Sequence, residues 1–190
     1  MALKTLVKVG SITNLSDARY CAGMGVDLMG FRVNEDQPAA IQPKTYQDIR
    51  GWITGPQIVA EIYGVTTREQ LDKVLESFQP DYLELSINEF QEIGSFINLP
   101  FILKIDSETD SLPDFVNRPA YLLTDGISGA ASKLIPDYEF LLEVSSITAL
   151  NDVLSKTGVS GIALTGGTEI RPGLKTYDEL GDILEALETD

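Results

Sequence analysis

Among the ionisable residues that lie within or directly after short apolar runs, three are the first candidates for acid–base chemistry. A carboxyl group can donate or accept a proton where substrate reaches it, and a lysine supplies positive charge. These candidates are Lys8, Glu84 and Asp125, associated with the runs 5–9, 81–86 and 120–124. Lys8 has two interpretations. It is the cation of a binding site, or it pairs with a buried carboxylate such as Glu61 or Glu84 and holds the fold together.

Composition narrows the chemistry further. The chain has no histidine, which removes the commonest metal ligand and general base. Its lone cysteine, Cys21, cannot form an internal disulfide and is interpreted as a small buried apolar residue. We therefore expect no metal and no cofactor. The 29 acidic and 14 basic residues give a net charge of -15, which disfavours nucleic acid and anionic membranes as partners.

Short apolar runs alternate with helical patterns along the whole chain. This alternation predicts a parallel sheet with right-handed crossovers, and eight such units predict a closed (β/α)8 TIM barrel in one domain, 1–190. Units five and six support at most short helices. The predicted strands are 6–9, 26–33, 57–63, 81–86, 101–105, 120–124, 139–144 and 161–165. The predicted helices are 15–25, 46–52, 66–78, 88–96, 147–156 and 176–187, with Asn14 or Ser16 capping the first and a capping box at 66–69 opening the third.

Targeting patterns are not recognisable in this sequence. No early stretch has the charged start, apolar middle and small-residue cleavage site of a signal peptide. No apolar run approaches the ~18 residues that a membrane span needs. We expect a cytoplasmic protein, either a monomer or a homodimer.

Two segments at the ends of the barrel resemble signatures of a known family. They read Lys8-Val9-Gly10-Ser11-Ile12-Thr13-Asn14 and Gly167-Thr168-Glu169-Ile170-Arg171-Pro172-Gly173-Leu174-Lys175. They resemble the opening and closing signatures of phosphoribosylanthranilate isomerase, the aldose–ketose isomerase of tryptophan biosynthesis. The family's first signature is Lys-Ile-Cys-Gly-Ile-Thr-Asn, and the resemblance implies that its cysteine is the general base. Here Gly10 takes that place.

The general acid of the resemblance also falls on a substituted position. The family's sixth strand ends Leu-Leu-Asp, and simple alignment puts Thr124 in the place of the aspartate, with Asp125 one residue later. A shift of one residue turns a side chain to the other face of a strand. We expect Asp125 to serve only if a bulge redirects it.

Binding positions are altered as well. Ala39 stands where the resemblance implies a substrate-facing arginine, and Arg32 could supply a cation nearby. Glu84 and Ser86 take the places of the family's glutamine and histidine at the fourth strand. A phosphate site is expected between the loops after strands seven and eight. Its candidates are Ser145, Ser146, Thr165, Gly166 and Gly167. The glycines are equally compatible with a tight turn that binds nothing.

Three functional hypotheses follow from these residues. The first is a divergent isomerase relative that has lost the activity but still binds a phosphorylated small molecule. The second is a working isomerase, or a related sugar-phosphate enzyme, that uses relocated groups such as Asp125, Glu84 or Lys8. The third is an interaction or scaffold protein without a small-molecule ligand.

Overall fold

Eight parallel strands close into a barrel in the computed structural model. The model describes residues 2–109, 111–127, 131–154, 158–166, 168–171, 174–176 and 178–189. Each strand pairs with the next in chain order, and the last pairs with the first. The predicted (β/α)8 architecture is confirmed. The strands are β1 (Leu6–Gly10), β2 (Leu28–Arg32), β3 (Gln57–Glu61), β4 (Tyr82–Ser86), β5 (Phe101–Lys104), β6 (Tyr121–Thr124), β7 (Phe140–Glu143) and β8 (Val159–Thr165).

Helices are distributed unevenly around the barrel. Within the described residues no α-helix follows β5 or β6, as expected, and a 3-10 turn at Ala131–Leu134 stands in the sixth unit. A two-stranded antiparallel sheet of β9 (Thr168–Arg171) and β10 (Leu174–Thr176) separates β8 from the last helix. The sequence patterns did not predict this sheet. The helices are α1 (Leu15–Gly23), α2 (Pro43–Arg50), α3 (Arg68–Phe78), α4 (Ile87–Ile93), α5 (Ile147–Leu154) and α6 (Asp178–Leu187).

Local capping explains where three of these helices begin. Asn14 caps α1, and its side chain accepts a hydrogen bond from the Asp17 N–H at 2.9 Å. The box that opens α3 joins Thr67 to Gln70, one residue later than the predicted pairing. A second box joins Ser86 to Glu89, so α4 begins directly where β4 ends.

Two layers of inward-facing side chains fill the barrel. Side chains alternate across a strand, so residues two apart share the interior. An apolar layer lies deep in the barrel and consists of Leu28, Val59, Ile102, Leu123, Leu141 and Ala163, with Leu6, Tyr82 and Tyr121 packed against it. A polar layer lies two residues further along five strands and consists of Lys8, Glu61, Glu84, Lys104 and Glu143. This polar layer forms the floor of the mouth, the opening at the carboxyl ends of the strands.

The outer faces of the strands make the larger core with the surrounding helices. Val7, Val9 and Phe31 belong to that core, as do Leu71 and Leu184 from the helices. Among the described residues, no helix has both the length and the apolar character to cross a membrane.

Candidate functional site

A buried ion cluster occupies the centre of the mouth. Lys8 Nζ lies 2.9 Å from Glu61 Oε1 and 2.8 Å from Glu84 Oε2. Each of the three side chains is only 3% exposed. Lys8 therefore pairs with both carboxylates named as its alternatives, from strands β1, β3 and β4. Carboxyl ends of strands are where barrels of this class place their active sites.

The pKa values of the two carboxyl groups in the cluster are shifted in opposite directions. Burial would raise the pKa of Glu61, but the charge and hydrogen bond of Lys8 and the Ser11 N–H outweigh it and hold that pKa below its usual value. Burial and the nearby Glu61 charge raise the pKa of Glu84, although Lys8 opposes them. Burial would lower the pKa of Lys8, yet the two carboxylates raise it, so the ammonium stays charged.

Glu61 fills space that two glycines leave open. A Cβ atom on Gly10 would lie 2.5 Å from Glu61 Oε1 and 2.8 Å from Lys8 Nζ. A Cβ on Gly30 would also overlap Glu61 Oε1. Ser11, in a left-handed backbone conformation with φ 55°, donates its N–H to Glu61 Oε1 at 3.1 Å. The carboxylate thus occupies the place of a side chain at position 10.

Tyr63 completes the cluster from the loop after β3. Its hydroxyl donates to Glu84 Oε1 at 2.7 Å, and burial raises its pKa, which keeps it protonated. Sequence reasoning named Glu61 only as a partner of Lys8 and missed Tyr63. The available signal was the period of two that puts Val59, Glu61 and Tyr63 on one face of a strand and its continuation.

Arg32 reaches the same cluster from β2. Its Nη1 donates to the Pro38 carbonyl at 3.1 Å, while its Nε lies 3.8 Å from Glu61 Oε2. The structure therefore brings together three predicted site residues, Arg32, Lys8 and Glu84, from three separate strands. Its positive charge faces a carboxylate, so it is already partly neutralised.

Thr124 and Asp125 point to different sides of the barrel wall. Thr124 is fully buried, and its hydroxyl donates to the Gly126 carbonyl at 3.1 Å. Asp125 is exposed and lines a pocket at the mouth. Since Leu123 belongs to the apolar layer, ordinary alternation brings Asp125 to the inner side, and the described β6–β7 pairing is regular. Asp125 needs no bulge to reach the mouth.

The mouth contains two spaces separated by an ion pair. The inner cavity, about 90 Å³, lies against Lys8, Glu61 and Glu84. The outer pocket, about 510 Å³, is lined by residues at the ends of β4 to β7, including Asp125. Lys104 Nζ and a Glu143 carboxylate oxygen, 2.5 Å apart, line both spaces. Asp125 therefore borders the outer pocket, while Lys8 and Glu84 border the inner cavity.

Four of the five residues of the expected phosphate site lie within the described parts of the chain. The Gly166 N–H donates to the Gly10 carbonyl at 2.8 Å, so it already has a partner. Ser146 Oγ accepts from the Ala149 N–H at 3.2 Å, Ser145 is exposed, and Thr165 lines the inner cavity. Gly167 lies outside the described residues. Phosphate binding here stays a prediction. In the described parts of the chain no group of three acidic or cysteine side chains is arranged to hold a metal ion.

Curated relatives match nearly the whole chain. An N-(5'-phosphoribosyl)anthranilate isomerase from Maridesulfovibrio salexigens is 24% identical over 209 aligned positions, covering 97% of this chain and 99% of the relative. A protein of the same name from Xanthomonas campestris is 23% identical and covers 96% and 92% of the two chains. No protein-family model matches the chain.

Solved structures of phosphoribosyl anthranilate isomerase and TrpF proteins have the same barrel. The phosphoribosyl anthranilate isomerase of Thermus thermophilus superposes with a TM-score of 0.75 at 21% identity and covers 96% of this chain and 98% of its own. TrpF from Jonesia denitrificans superposes with a TM-score of 0.73 at 16% identity, covering 96% of each chain. At these identities the superpositions establish the fold.

Proposed function

The chain belongs to the phosphoribosylanthranilate isomerase family, and from that premise we propose that it is a member that no longer catalyses the family's isomerisation. The family reaction needs one group that removes a proton from the substrate and another that donates one. The observation that carries the proposal is the position of Glu61. Its carboxylate occupies the space beside Gly10, where the resemblance places the catalytic base.

The state of that carboxylate argues against simple replacement of the base. Glu61 is paired with Lys8, accepts the Ser11 N–H, and has a pKa below the usual value for a glutamate. An effective general base has a pKa near the working pH, so a carboxylate whose pKa is held below its usual value removes a proton poorly. Proton abstraction would also break the pairing that keeps Glu61 in place.

The size of the inner cavity points the same way. A cavity of about 90 Å³ is well below the roughly 300–1,000 Å³ of typical ligand pockets, and a sugar phosphate joined to an aromatic acid needs a pocket of that larger size. Three cations line this cavity: Lys8, Arg32 and Lys104. Each of them lies within 4 Å of a carboxylate oxygen. An anionic substrate therefore finds little positive charge that is not already neutralised.

Complementation tests the loss of activity. A strain that lacks its own isomerase is supplied with this chain and grown without tryptophan, while the purified protein is assayed for consumption of phosphoribosylanthranilate. We expect no growth and no consumption above background. Circular dichroism of the same preparation, showing folded protein, separates inactivity from misfolding. Sustained growth contradicts the proposal.

A relocated acid–base pair is the second candidate function. Two observations favour it: the pKa values of Glu61 and Glu84 are shifted apart, and Asp125 lies on the inner side of β6. In this case the chain is an isomerase or a related sugar-phosphate enzyme. Growth that disappears in Asp125→Asn would assign the acid, and growth that survives it but fails in Glu84→Gln would place the acid in the cluster.

Retained phosphate binding is the remaining part of the proposal. The hydroxyls of Ser145 and Ser146 and the backbone around Gly166 are its donors, although the Gly166 N–H first has to leave Gly10. Titration with inorganic phosphate, followed by amide chemical shifts, tests it. Shifts confined to residues after β7 and β8 support the site, and shifts spread over surface lysines contradict it.

A further inference from the structure

Trp52, directly after α2, is the largest of the exposed apolar side chains in the described part of the chain. It is 71% exposed, and it is the only tryptophan in the sequence. Its backbone N–H donates to the Ile49 carbonyl at 2.9 Å, and the side chains of Ile49 and Ile53 on either side are buried. The indole is therefore presented from a fixed backbone, as is typical of tryptophans that anchor protein–protein contacts.

A recess between α2 and α3 lies directly beside this tryptophan. It has a volume of about 350 Å³, and Gly51, the residue before Trp52, forms part of its wall. Tyr46 and Phe78 also line it, with their ring centroids 5.0 Å apart. A space of this size has room for an indole ring, whose N–H can donate to an amide oxygen such as that of Gln47.

The charge of this face suits contact between two copies of an acidic chain. Two copies with a net charge of -15 repel each other, and α6, for example, carries four acidic and no basic residues. Two basic residues and one acidic residue give α2 a net charge of +1, while two basic and three acidic residues give α3 a net charge of -1. The two helices together are neutral, and α2 of one copy is complementary in charge to α3 of another. Their charged side chains, all exposed, are Lys44, Asp48, Arg50, Arg68, Glu69, Asp72, Lys73 and Glu76.

We propose that the face formed by α2, α3 and Trp52 is the interface of a homodimer with twofold symmetry. Both partners use the same surface in a twofold contact, so a projecting side chain next to a recess is self-complementary, and each Trp52 enters the recess of the other copy. The inference goes beyond the proposed function. The face lies on the outer side of the barrel, and Trp52 precedes β3, at the opposite end of the strands from the mouth.

Trp52 reports on the contact directly, because all tryptophan fluorescence of the chain comes from it. We expect a dissociation constant on the order of 10 µM, since the interface has one large anchor per copy and the net charge opposes association. Sedimentation velocity from about 1 to 200 µM spans that constant on both sides and measures it. The emission maximum should move to shorter wavelength as the dimer forms. A parent that stays monomeric over this range, with an unchanged emission maximum, overturns the proposal and leaves the face to a different partner.

Truncation of the anchor is the stronger test of where the contact lies. Trp52→Ser should abolish the dimer at about 200 µM, since two anchors are lost per dimer and each such residue contributes at least about 30-fold to affinity. Val116→Ser is the matched control, because Val116 is 87% exposed on the segment after β5 and should not affect association. Circular dichroism verifies that both variants are folded. A dimer that persists in Trp52→Ser, or that is lost in Val116→Ser, places the interface elsewhere and overturns the proposal.

Reversal of one charge on α2 tests the role of the helices. Lys44→Glu changes the net charge of α2 from +1 to -1, and we expect the dissociation constant to rise about tenfold. Lys133→Glu makes the same change to the whole chain at an exposed site on the turn Ala131–Leu134, and it should raise the dissociation constant no more than about twofold. Equal weakening in the two variants would mean that net charge alone governs association, and it would overturn the placement of α2 in the contact.

Discussion

The apolar and polar layers of the barrel are built by the same strand geometry but depend on their neighbours in different ways. Val59 and Glu61 are two residues apart on β3, and Leu141 and Glu143 are two apart on β7. An apolar side chain is stabilised by any close-packed neighbour. A buried charge is stable only beside its counter-charge, so each change in the polar layer alters what the other members can do.

Breaking the polar layer at its centre should have the largest effect. Lys8→Met leaves Glu61 and Glu84 buried without their shared counter-ion, and we expect a loss of about 4 kcal/mol in the free energy of unfolding. Urea denaturation measures it. Lys73→Met removes an exposed lysine from α3 and should change little. A Lys8→Met variant as stable as that control would show that the two carboxylates do not depend on the lysine.

Breaking the apolar layer should cost somewhat less. Leu141 is fully buried, and Leu141→Ala is expected to lower the free energy of unfolding by about 3 kcal/mol through lost contacts and a residual cavity. This loss should hardly vary with pH, because no charge is involved. The matched control is Leu154→Ala on α5, where the side chain is 46% exposed. Equal losses at the two leucines would mean that the deep layer is loosely packed.

The apolar layer and the fold are the parts that the sequence predicts well. Short apolar runs with a period of two, separated by helical patterns, determined the strands and the order of the barrel. The prediction that units five and six support at most short helices is also met, since within the described residues neither unit contains an α-helix. The sheet of β9 and β10 was not predicted, because no strand was assigned between the Gly-rich turn at 166–167 and the predicted helix 176–187. Prediction of the capping box differed by one residue, since Thr66 and Thr67 are chemically equivalent.

The polar layer was predicted only in part. Lys8, Glu84 and Arg32 were named, but their arrangement depends on contacts between separate strands, which no local pattern encodes. Asp125 was judged by alignment to the family, whereas the register of β6 decides which way it points. The role of Glu61 could have been suspected from Gly10 and Gly30, two residues without side chains on neighbouring strands.

Adding a side chain at Gly10 tests how tightly the polar layer is filled. Gly10→Ala places a Cβ 2.5 Å from Glu61 Oε1, and we expect a loss of about 2 kcal/mol on thermal or urea unfolding. Gly23→Ala is the control, since a Cβ there meets no atom within 4 Å. In a double-mutant cycle with Glu61→Ala, the two changes should be less than additive by about 1 kcal/mol. Strict additivity would show that Glu61 does not fill this space.

The smallest effect, and the one of opposite sign, is expected at Glu84. Its folded-state pKa is raised, chiefly by burial, so its contribution to stability is fully present below the unfolded pKa and declines as pH rises through the folded value. Glu84→Gln removes that decline and can still accept the Tyr63 hydroxyl. We expect this variant to match the parent in free energy of unfolding near pH 4.5 and to be slightly more stable than the parent at pH 8, where the parent has to bury a charged Glu84.

Urea titrations at several pH values, with Glu76→Gln as control, distinguish this effect from the general benefit of removing one of 29 acidic residues. Glu76 is exposed on α3 and takes part in none of the described ion pairs, so a gain there would report net charge alone. If Glu84→Gln is less stable than the parent at pH 8, the second carboxylate strengthens the cluster instead of straining it. Lys8 would then need both partners, and a protonated Glu84 could not serve as the acid of a relocated pair.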